Sequence, residues 1–353
     1  MPRRKIIIDT DCGGDDAIGI MAALADPNTD IIAITAVWGN VKPDQGMENL
    51  GKILDVFERD IPFFKGAEAP LVVDCETVQW GGFGKDGFGD ADFPPSTRVA
   101  QQRTTHAALA IVDFLREAKP DEDTVYQLVC LGPLTNVALA MRIAPEVFDV
   151  LGSETEPAIT IMGGASEAKG NSNMTAEFNV HCDPEAAFVV FNQRHMRPVR
   201  LVTWEVTVDC PMTWIFYDGW VGRQPDGGKE QNKIQVFIEK VFQRLEAFTR
   251  PHADGTKADT GDAEATQDYT CVIPDAVAMV TALHPDSVKD RFVTYCCVEM
   301  HGSNTRGQTC LDWYGTEQSM AKRGRWRNCE LITGVDNTKF LDVMKDIIAY
   351  KPK

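Results

Sequence analysis

The stretch Ile6-Ile7-Ile8-Asp9-Thr10-Asp11-Cys12-Gly13-Gly14-Asp15-Asp16 decides the fold of this 353-residue chain. The β-branched run at 5–8 predicts a strand, and the apolar pattern at 16–25 predicts a helix. Gly13 and Gly14 lie between the two and let the backbone turn tightly. A strand that passes through a short turn into a helix begins a βαβ unit, so the stretch predicts an α/β protein.

Four carboxylates fall within eight residues of this stretch: Asp9, Asp11, Asp15 and Asp16. Ionised carboxylates this close repel one another, and a bound cation removes that cost. Ligands that are all oxygen favour Ca²⁺ or Mg²⁺ over zinc. Capping of the helix N-terminus is the competing explanation, but a cap needs only one such residue. The four together therefore indicate a metal centre.

The rest of the chain repeats the strand and helix alternation. Predicted strands follow at 31–37, 61–64, 125–130, 158–162 and 199–202, and predicted helices at 43–59, 134–143, 184–193 and 337–350. This order predicts an α/β fold with an open, mainly parallel Rossmann-like sheet flanked by helices, in a single domain over 1–353. An antiparallel hairpin extension is expected near Thr305-Arg306-Gly307. Ligands bind such sheets beyond the carboxyl ends of the strands, where the polar clusters of this sequence lie.

Composition narrows the class of partner. The net charge of −17 repels phosphate backbones and argues against nucleic acid. No apolar run reaches the length of a membrane span, and the first residues contain no apolar targeting segment. The ten cysteines show no CxxC pair, which is typical of reduced core residues. We expect a cytoplasmic protein with no membrane partner, and one strand across the apolar run 292–298.

Two other motifs compete for the aspartate stretch, and a third motif occurs at 82–87. An EF-hand loop fails, because its fifth and twelfth positions counted from Asp9 are Gly13 and Ile20. A Mg²⁺-dependent phosphatase would use Asp9 and Asp11 as Asp-x-Asp, but it leaves Asp15 and Asp16 unexplained. The GxGxxG pattern at 82–87 follows no predicted strand, so it indicates a mobile lid rather than a dinucleotide site.

Six landmarks in order resemble the inosine–uridine-preferring nucleoside hydrolase family. The aspartate stretch resembles the family's DxDxGxDD signature. The others are Trp38-Gly39-Asn40, Leu131-Gly132-Pro133-Leu134-Thr135-Asn136, the block from Ile161-Met162-Gly163-Gly164 through Ala176-Glu177-Phe178-Asn179 to Asp183-Pro184-Glu185, Pro274-Asp275-Ala276, and Thr305-Arg306-Gly307. They extend from residue 6 to about 310, and their combination is specific where each alone is weak.

The resemblance implies a role for each matching residue. Ca²⁺ would be held by the carboxylates of Asp11, Asp16 and Asp275 and by the carbonyl oxygen of Leu131. Asp11 would also be the catalytic base, and Asp9 a supporting group. The residues implied to contact ribose are Asp15 at the 2′-hydroxyl, Asn179 at the lower hydroxyls, Asn171 and Glu177 at the 5′-hydroxyl, Met162 packed on the sugar, and Asn40 near the metal.

These residue types suit the cleavage of an N-glycosidic bond. Bond breaking builds positive charge on the ribose, and surrounding carboxylates stabilise that charge. A cation acidifies a water, and a carboxylate takes its proton as general base. The expected substrate is a small-molecule ribonucleoside, released as free base and ribose. By the same resemblance we expect a homodimer or homotetramer.

The sequence departs from the family on the side of the leaving base. Many members that accept pyrimidines carry a histidine at two positions that here are Pro274 and Phe83, neither of which donates a proton. Purine-selective relatives activate the base by stacking aromatic rings on it. Candidate base-binding aromatics are Trp38, Trp80, Phe83, Trp204 and Tyr269. Purine nucleosides are therefore the favoured substrates. The alternatives are a nucleoside-binding or ribose-binding protein without turnover, and the phosphatase.

Overall fold

A computed structural model describes residues 3–73, 81–101, 104–194, 196–223, 230–250 and 270–352. Its strands are β1 Arg3–Thr10, β2 Thr29–Ala36, β3 Phe63–Lys65, β4 Thr124–Cys130, β5 Ile159–Met162, β6 Val199–Val202, β7 Met212–Thr213, β8 Thr270–Cys271, β9 Val288–Thr294, β10 Cys296–Val298, β11 Thr309–Leu311 and β12 Cys329–Val335.

The helices follow the strands in regular alternation through the first half of the chain. They are α1 Gly14–Ala25, α2 Pro43–Phe57, α3 Ala107–Glu117, α4 Thr135–Ile143, α5 Phe178–Cys182, α6 Pro184–Phe191, α7 Trp204–Val208, α8 Trp214–Trp220, α9 Lys233–Thr249, α10 Pro274–Leu283, α11 Glu317–Lys322 and α12 Asn337–Ala349. Short 3₁₀ turns interrupt the connections, one of them at Gly81–Phe83.

Eight strands form the central sheet in the order β3-β2-β1-β4-β5-β6-β12-β9. All neighbours are parallel except β12 and β9. The predicted open, mainly parallel α/β sheet is confirmed. The chain moves outward from β1 in both directions, so the strand order reverses between β1 and β4. Ligands bind in the crevice at such a switch point, and the aspartate stretch lies at this end of β1.

Side chains alternate between the two faces of the sheet and fill a core on each. Ile6 and Ile8 of β1 face the core formed with α1, α10 and α12, whereas Ile7 faces the core formed with α3, α4 and α6. Strands buried on both faces read as continuous apolar runs. This burial explains why the β-branched runs of the sequence located the strands.

The antiparallel hairpin is also present, with a different strand division from the one expected. The predicted strand at 292–298 is wrong as one element, because the chain leaves β9 at Thr294 and begins β10 at Cys296. β9 belongs to the central sheet, while β10 pairs with β11 in a separate two-stranded sheet. The Thr305-Arg306-Gly307 segment connects β10 to β11. Within the described residues, no helix is long and apolar enough to cross a membrane.

Candidate active site

The loop after β1 is held by hydrogen bonds that its own residues make. Thr10 Oγ1 donates to Asp16 Oδ1, and the backbone N–H of Gly13 donates to Asp16 Oδ2 at 2.9 Å. Asp16 thus accepts from the backbone of the N-cap residue at the start of α1, which is the half of a capping box that a glycine N-cap allows. Capping therefore accounts for one aspartate of the stretch. It does not account for Asp9, Asp11 or Asp15.

Helix α10 brings the distant aspartate of the sequence to the same place. Carboxylate oxygens of Asp15, Asp16 and Asp275 all lie within 4.8 Å of one another, and all three residues are buried. Gly19 makes this approach possible, since a Cβ there would lie 3.1 Å from the carbonyl oxygen of Asp275. The first turns of α1 and α10 therefore bring their aspartates together.

Asp11 joins this group through the loop after β2. Asn40 donates its backbone N–H to Asp11 Oδ2 at 2.6 Å, and its amide lies 3.2 Å from Asp11 Oδ1 and 3.3 Å from Asp16 Oδ2. Gly39 lets the loop pass this close, because a Cβ there would overlap Asp11 Oδ2 and lie 2.8 Å from Asp11 Cβ. Asn40 thus fixes the orientation of the carboxylate expected to act as base.

Asp9 faces a different set of partners beneath the loop. Its Oδ1 accepts from Thr35 Oγ1 at 2.6 Å and from Asn136 Nδ2 at 2.8 Å. Asn136 also donates to the carbonyl of Ala36 and accepts from the backbone N–H of Ala67. The carboxylate therefore ties β1 to β2 and to the start of α4, as expected of a supporting group.

The cluster carries more negative charge than its hydrogen bonds accommodate. Among the described residues, Asp15 Oδ1 and Asp275 Oδ1 are buried without a hydrogen-bond partner. Burial, and then the charge of Asp16, raises the pKa of Asp15 to about 7, and burial with the charges of Asp15 and Asp16 raises that of Asp275 well above its usual range. Burial and Asp16 likewise raise the pKa of Asp11. Orphaned oxygens in a dry group of carboxylates fit a hard divalent cation.

The end of β4 completes the oxygen-rich floor of the site. The Leu131 carbonyl accepts from Asn179 Nδ2 at 2.8 Å, and the same amide lies 3.2 Å from the Met162 carbonyl and 3.4 Å from its sulfur. Leu131, Met162 and Asn179 are all buried. Three residues from two separate motifs thus meet beside the switch point.

Glu177 is buried at the start of α5 and is held by three backbone N–H groups. Gly164, Asn179 and Val180 donate to its two oxygens at 2.7, 2.8 and 3.2 Å. Burial nevertheless raises its pKa to about 7. Asn171 is exposed, and its oxygen accepts from the backbone N–H of Phe178 at 2.9 Å. That contact holds the Asn171 side chain against Phe178, the residue that follows Glu177.

The candidate aromatics separate into three groups. Phe83 is buried, and its ring lies against Gly14, since a Cβ on Gly14 would lie 2.7 Å from it. Trp204 is partly buried and donates its backbone N–H to Gly164 at 3.0 Å. Trp38 directs its indole N–H to Thr135 at 3.2 Å. Trp80 and Tyr269 lie outside the described residues.

Sequence reasoning assigned no role to Thr10, Gly39 or Asn136, which position Asp16, Asp11 and Asp9 respectively. Thr10 lies between two of the aspartates. Gly39 and Asn136 lie inside motifs that resemble the family, so the sequence marked all three positions. The site also brings Asp15, rather than Asp11, into the closest trio with Asp16 and Asp275. An Asp-x-Asp phosphatase gives Asp15 and Asp275 no task.

Comparison with known proteins agrees with this arrangement. The family model described as inosine-uridine preferring nucleoside hydrolase matches residues 6–342. A solved inosine-guanosine nucleoside hydrolase is 60% identical, with a TM-score of 0.92 over 99% of each chain. An uncharacterized protein of Schizosaccharomyces pombe is 39% identical over 99% of this chain and 100% of its own.

A pyrimidine-specific ribonucleoside hydrolase of Escherichia coli strain K12 is 38% identical over 54% of this chain. The alignment spans 57% of that relative, somewhat more than half of its length. The family match extends from β1 into α12 and includes every element that contributes to the site described above. The chain therefore belongs to the inosine-uridine preferring nucleoside hydrolase family and is a hydrolase that acts on N-glycosyl bonds.

Proposed function

We propose that the protein hydrolyses the N-glycosidic bond of ribonucleosides in a Ca²⁺-dependent reaction, with purine nucleosides favoured. The observation that carries the proposal is the pair of buried oxygens, Asp15 Oδ1 and Asp275 Oδ1, that no hydrogen bond satisfies. Buried carboxylates in native proteins are paired or coordinate metals. Their residues belong to the first turns of α1 and α10, and carboxylate oxygens of the two residues lie within 4.8 Å of each other.

Asp11, Asp16 and Asp275, with the Leu131 carbonyl, are the residues we infer to hold the cation. An oxygen set supplied by the protein and shielded from water suits Ca²⁺ better than Mg²⁺, which keeps several of its waters. When bound, the cation supplies positive charge that offsets the carboxylates and acidifies a water. A carboxylate oxygen of Asp15 also lies within 4.8 Å of Asp16 and Asp275, so the assignment of Asp15 to the ribose rather than to the cation rests on the family resemblance.

The residues of the chain have separate tasks in the proposed reaction. Asp11, oriented by both nitrogens of Asn40, takes the proton of the attacking water as general base. Asp15 accepts a hydrogen bond from the 2′-hydroxyl. Cleavage develops positive charge on the ribose, and the surrounding carboxylates stabilise that charge more strongly in a buried site than in water.

The opposite wall is proposed to position the rest of the sugar. Asn179 is held between the Leu131 and Met162 carbonyls, so its amide is fixed where the lower hydroxyls would lie. Met162 offers an apolar surface to the ring. Glu177 and Asn171 would bind the 5′-hydroxyl, and the three N–H groups on Glu177 keep that carboxylate from turning away.

The proposed preference for purines rests on two points. Two positions on the base side offer no proton donor, and one similar solved structure is titled with two purine nucleosides. Pro274 and Phe83 offer no proton to a leaving base. Phe83, held against Gly14 next to the aspartates, presents an aromatic ring instead. The 60% identical solved structure is titled an inosine-guanosine nucleoside hydrolase. The pyrimidine-specific relative is less similar and aligns over a shorter part of the chain.

Two further properties are proposed, the first on the resemblance and the second on the composition and cysteine pattern of the chain. The protein is expected to form a homodimer or homotetramer, which sedimentation velocity at several concentrations distinguishes from a monomer. We also infer a cytoplasmic location, which cell fractionation tests.

A substrate panel tests the proposed function directly. Ribose release would be measured from inosine, guanosine, adenosine, uridine and cytidine, with and without a chelator, and after Ca²⁺ or Mg²⁺ is added back. The expected result is release from purine nucleosides, abolished by the chelator and restored by Ca²⁺. 2′-Deoxyinosine should react poorly, since it lacks the hydroxyl that Asp15 would read.

Each part of the proposal has its own contrary result. Ribose release from none of the five nucleosides by the Ca²⁺-loaded protein would overturn the hydrolase activity. Unchanged release in chelator would overturn the cation, and full recovery with Mg²⁺ alone would overturn its identity. Faster cleavage of uridine than of inosine would overturn the purine preference.

A further inference from the structure

The β10–β11 hairpin places two cysteines directly opposite each other, away from the carboxylate cluster. Cys297 pairs with Cys310 in the register of this antiparallel sheet. Side chains of directly opposed residues lie on the same face of a sheet. Both cysteines are free and partly exposed, whereas the neighbouring Cys296 is buried on the other face.

The backbone hydrogen bonds determine what kind of pair this is. Glu299 donates its N–H to Gln308 at 2.9 Å, and Asp312 donates its N–H to Tyr295 at 2.9 Å. Hydrogen-bonded pairs alternate with non-bonded pairs along an antiparallel ladder. Cys297 and Cys310 therefore form a hydrogen-bonded pair, for which Cα atoms are typically about 5.5 Å apart, inside the Cα range of about 4.4–6.8 Å that a disulfide spans. Cβ atoms of such a pair lie about 5.5 Å apart and those of a disulfide about 3.5–4.5 Å apart, so closing the bond requires the two strands to move towards each other.

The surroundings of Cys297 favour its thiolate, the form that reacts. A hydrogen bond from Cys310, with help from the positive charge of Arg325 and a hydrogen bond from Tyr295, lowers the pKa of Cys297 to about 7. Arg325 lies over the Tyr295 ring and is paired with Asp312 at 3.0 Å, so its position is fixed. Reactive cysteines in proteins lie in such partly exposed, electropositive places.

A metal site is the other use for paired thiols. The group of three or more possible ligand side chains found among the described residues is Asp15, Asp16 and Asp275, and it contains no cysteine. The two thiols of the hairpin therefore lack the additional ligands that a closed metal site needs.

We propose that Cys297 and Cys310 form a reactive dithiol that low-molecular-weight disulfides oxidise to an intramolecular disulfide. The thiolate of Cys297 attacks one sulfur of the small disulfide, and the S–S bond breaks to release one thiolate. Cys310 then loses its proton to solvent and attacks the Cys297 sulfur of the mixed disulfide, releasing the second small thiolate. Two protein thiols are oxidised, one small disulfide is reduced to two thiols, and protons balance.

The hairpin that carries the two cysteines is hydrogen-bonded to the segment after β5. Thr309, next to Cys310, donates its hydroxyl to the Ala165 carbonyl at 2.8 Å and accepts from the Ala165 N–H at 2.9 Å. Ala165 follows Gly164, whose N–H holds Glu177. The dithiol thus lies on a hairpin that is bonded directly to the wall of the candidate ribose site, although the proposal does not depend on nucleoside hydrolysis.

Oxidised glutathione provides the test on the full-length, folded protein. After incubation, free thiols would be alkylated, and the protein digested and examined by mass spectrometry without reduction. The expected product is one peptide pair joined through Cys297 and Cys310, lighter by two hydrogen atoms and lost on reduction. The Cys297→Ser and Cys310→Ser variants should each lose this product.

Cys296→Ala is the matched control, because Cys296 is adjacent in sequence but buried on the other face. It should retain the cross-link. Alkylation of both Cys297 and Cys310 after prolonged incubation would overturn the proposal, and so would a cross-link that joins Cys296 to Cys297 or to Cys329. Either serine variant alone shows whether the cross-link needs both cysteines. The test therefore remains decisive if one of the two variants fails to fold.

Discussion

The ribose side and the base side of the candidate site are built in different ways. The proposed ribose side consists of carboxylates and amides at strand ends and helix starts. Hydrogen bonds of 2.6–3.3 Å hold Asp9, Asp11, Asp16 and Asn179. The proposed base side consists of aromatic rings, of which Phe83 comes from a glycine-rich loop and Trp204 from the start of a short helix.

This difference separates two properties of one enzyme. Strand ends position side chains rigidly, so we expect the ribose side to determine which bond is cleaved and to need each group in one orientation. Loops vary more readily than the elements they connect, so the base side adjusts which nucleoside is accepted. Substitutions on the ribose side should therefore reduce turnover of every nucleoside, whereas those on the base side should change the ratio between nucleosides.

Asp11→Asn should have the largest effect. The amide keeps the size of the side chain but does not take a proton, and general base catalysis contributes about 10²–10⁴-fold to rate. We expect kcat for inosine and for uridine to decrease by about 10³-fold, with the same loss for both. Steady-state ribose release measures this decrease.

The control for this variant is Asp26→Asn. Asp26 is also a buried aspartate and lies at the opposite end of α1, where it accepts from Asn28 and Thr29. It should lower stability and leave kcat unchanged. A kcat for Asp11→Asn within a factor of about ten of the wild type would exclude Asp11 as the base.

Calcium should stabilise the fold in a pH-dependent way. Burial and the charge of Asp16 raise the pKa of Asp15 from 3.8 to about 7. Between those values the folded, cation-free protein holds more protons than the unfolded chain, so its stability decreases as pH rises and the loss is complete above pH 7. Ca²⁺ competes with these protons. Its stabilisation, about 2.7 kcal/mol at a hundredfold excess over Kd, should therefore grow with pH.

Calorimetric measurement of Tm with chelator and with Ca²⁺, at about pH 5.5 and about pH 7.5, tests this linkage. The Asp15→Asn variant sharpens it, since removing that carboxylate should weaken the pH dependence. An equal gain in Tm at both pH values would contradict a cation held among carboxylates whose pKa is raised.

Gly39→Ala should impair turnover without replacing any catalytic group. The added methyl would overlap Asp11 Oδ2, and overpacking of this kind costs about 1–3 kcal/mol. Displacement of Asp11 should lower kcat for all nucleosides by about tenfold or more. Gly46→Ala is the control, because a Cβ there meets its nearest neighbour at 3.6 Å, which is ordinary contact. Equal kcat values for the two variants would show that the loop does not position Asp11.

Phe83→Leu should have the smallest effect and the most selective one. Leucine keeps an apolar side chain against Gly14 but removes the ring, and aromatic stacking contributes about 0.5–1.5 kcal/mol. We expect kcat/KM for inosine to decrease by several-fold while that for uridine changes little. Phe88→Leu is the control, because the Phe88 ring packs against Phe237 in the core, with the two ring centroids 5.7 Å apart. An equal decrease for inosine and uridine would assign Phe83 to the fold rather than to the base.

Local patterns of the sequence predicted the sheet and the floor of the site well. The runs at 5–8 and 199–202 located β1 and β6, and the aspartates at the end of β1 indicated a metal centre. The division between β9 and β10 was not predicted, because Phe292 to Val298 contains no Gly, Pro or charged residue and the strand break at Tyr295 depends on which sheet each half joins. The contribution of Thr10 to the orientation of Asp16 was also missed, since a hydroxyl between two aspartates has no periodicity.

The sequence by itself determined the α/β class, the family resemblance and the supply of carboxylates, because strand and helix periods and short motifs are local properties. Only the tertiary structure decided that Asp15, Asp16 and Asp275 form the closest trio, since 259 positions separate Asp16 from Asp275 along the chain. Their meeting depends on the packing of α1 on α10 at Gly19. The cross-strand pairing of Cys297 and Cys310 is likewise a property of register, which the hairpin turn and the hydrogen-bonded ladder determine.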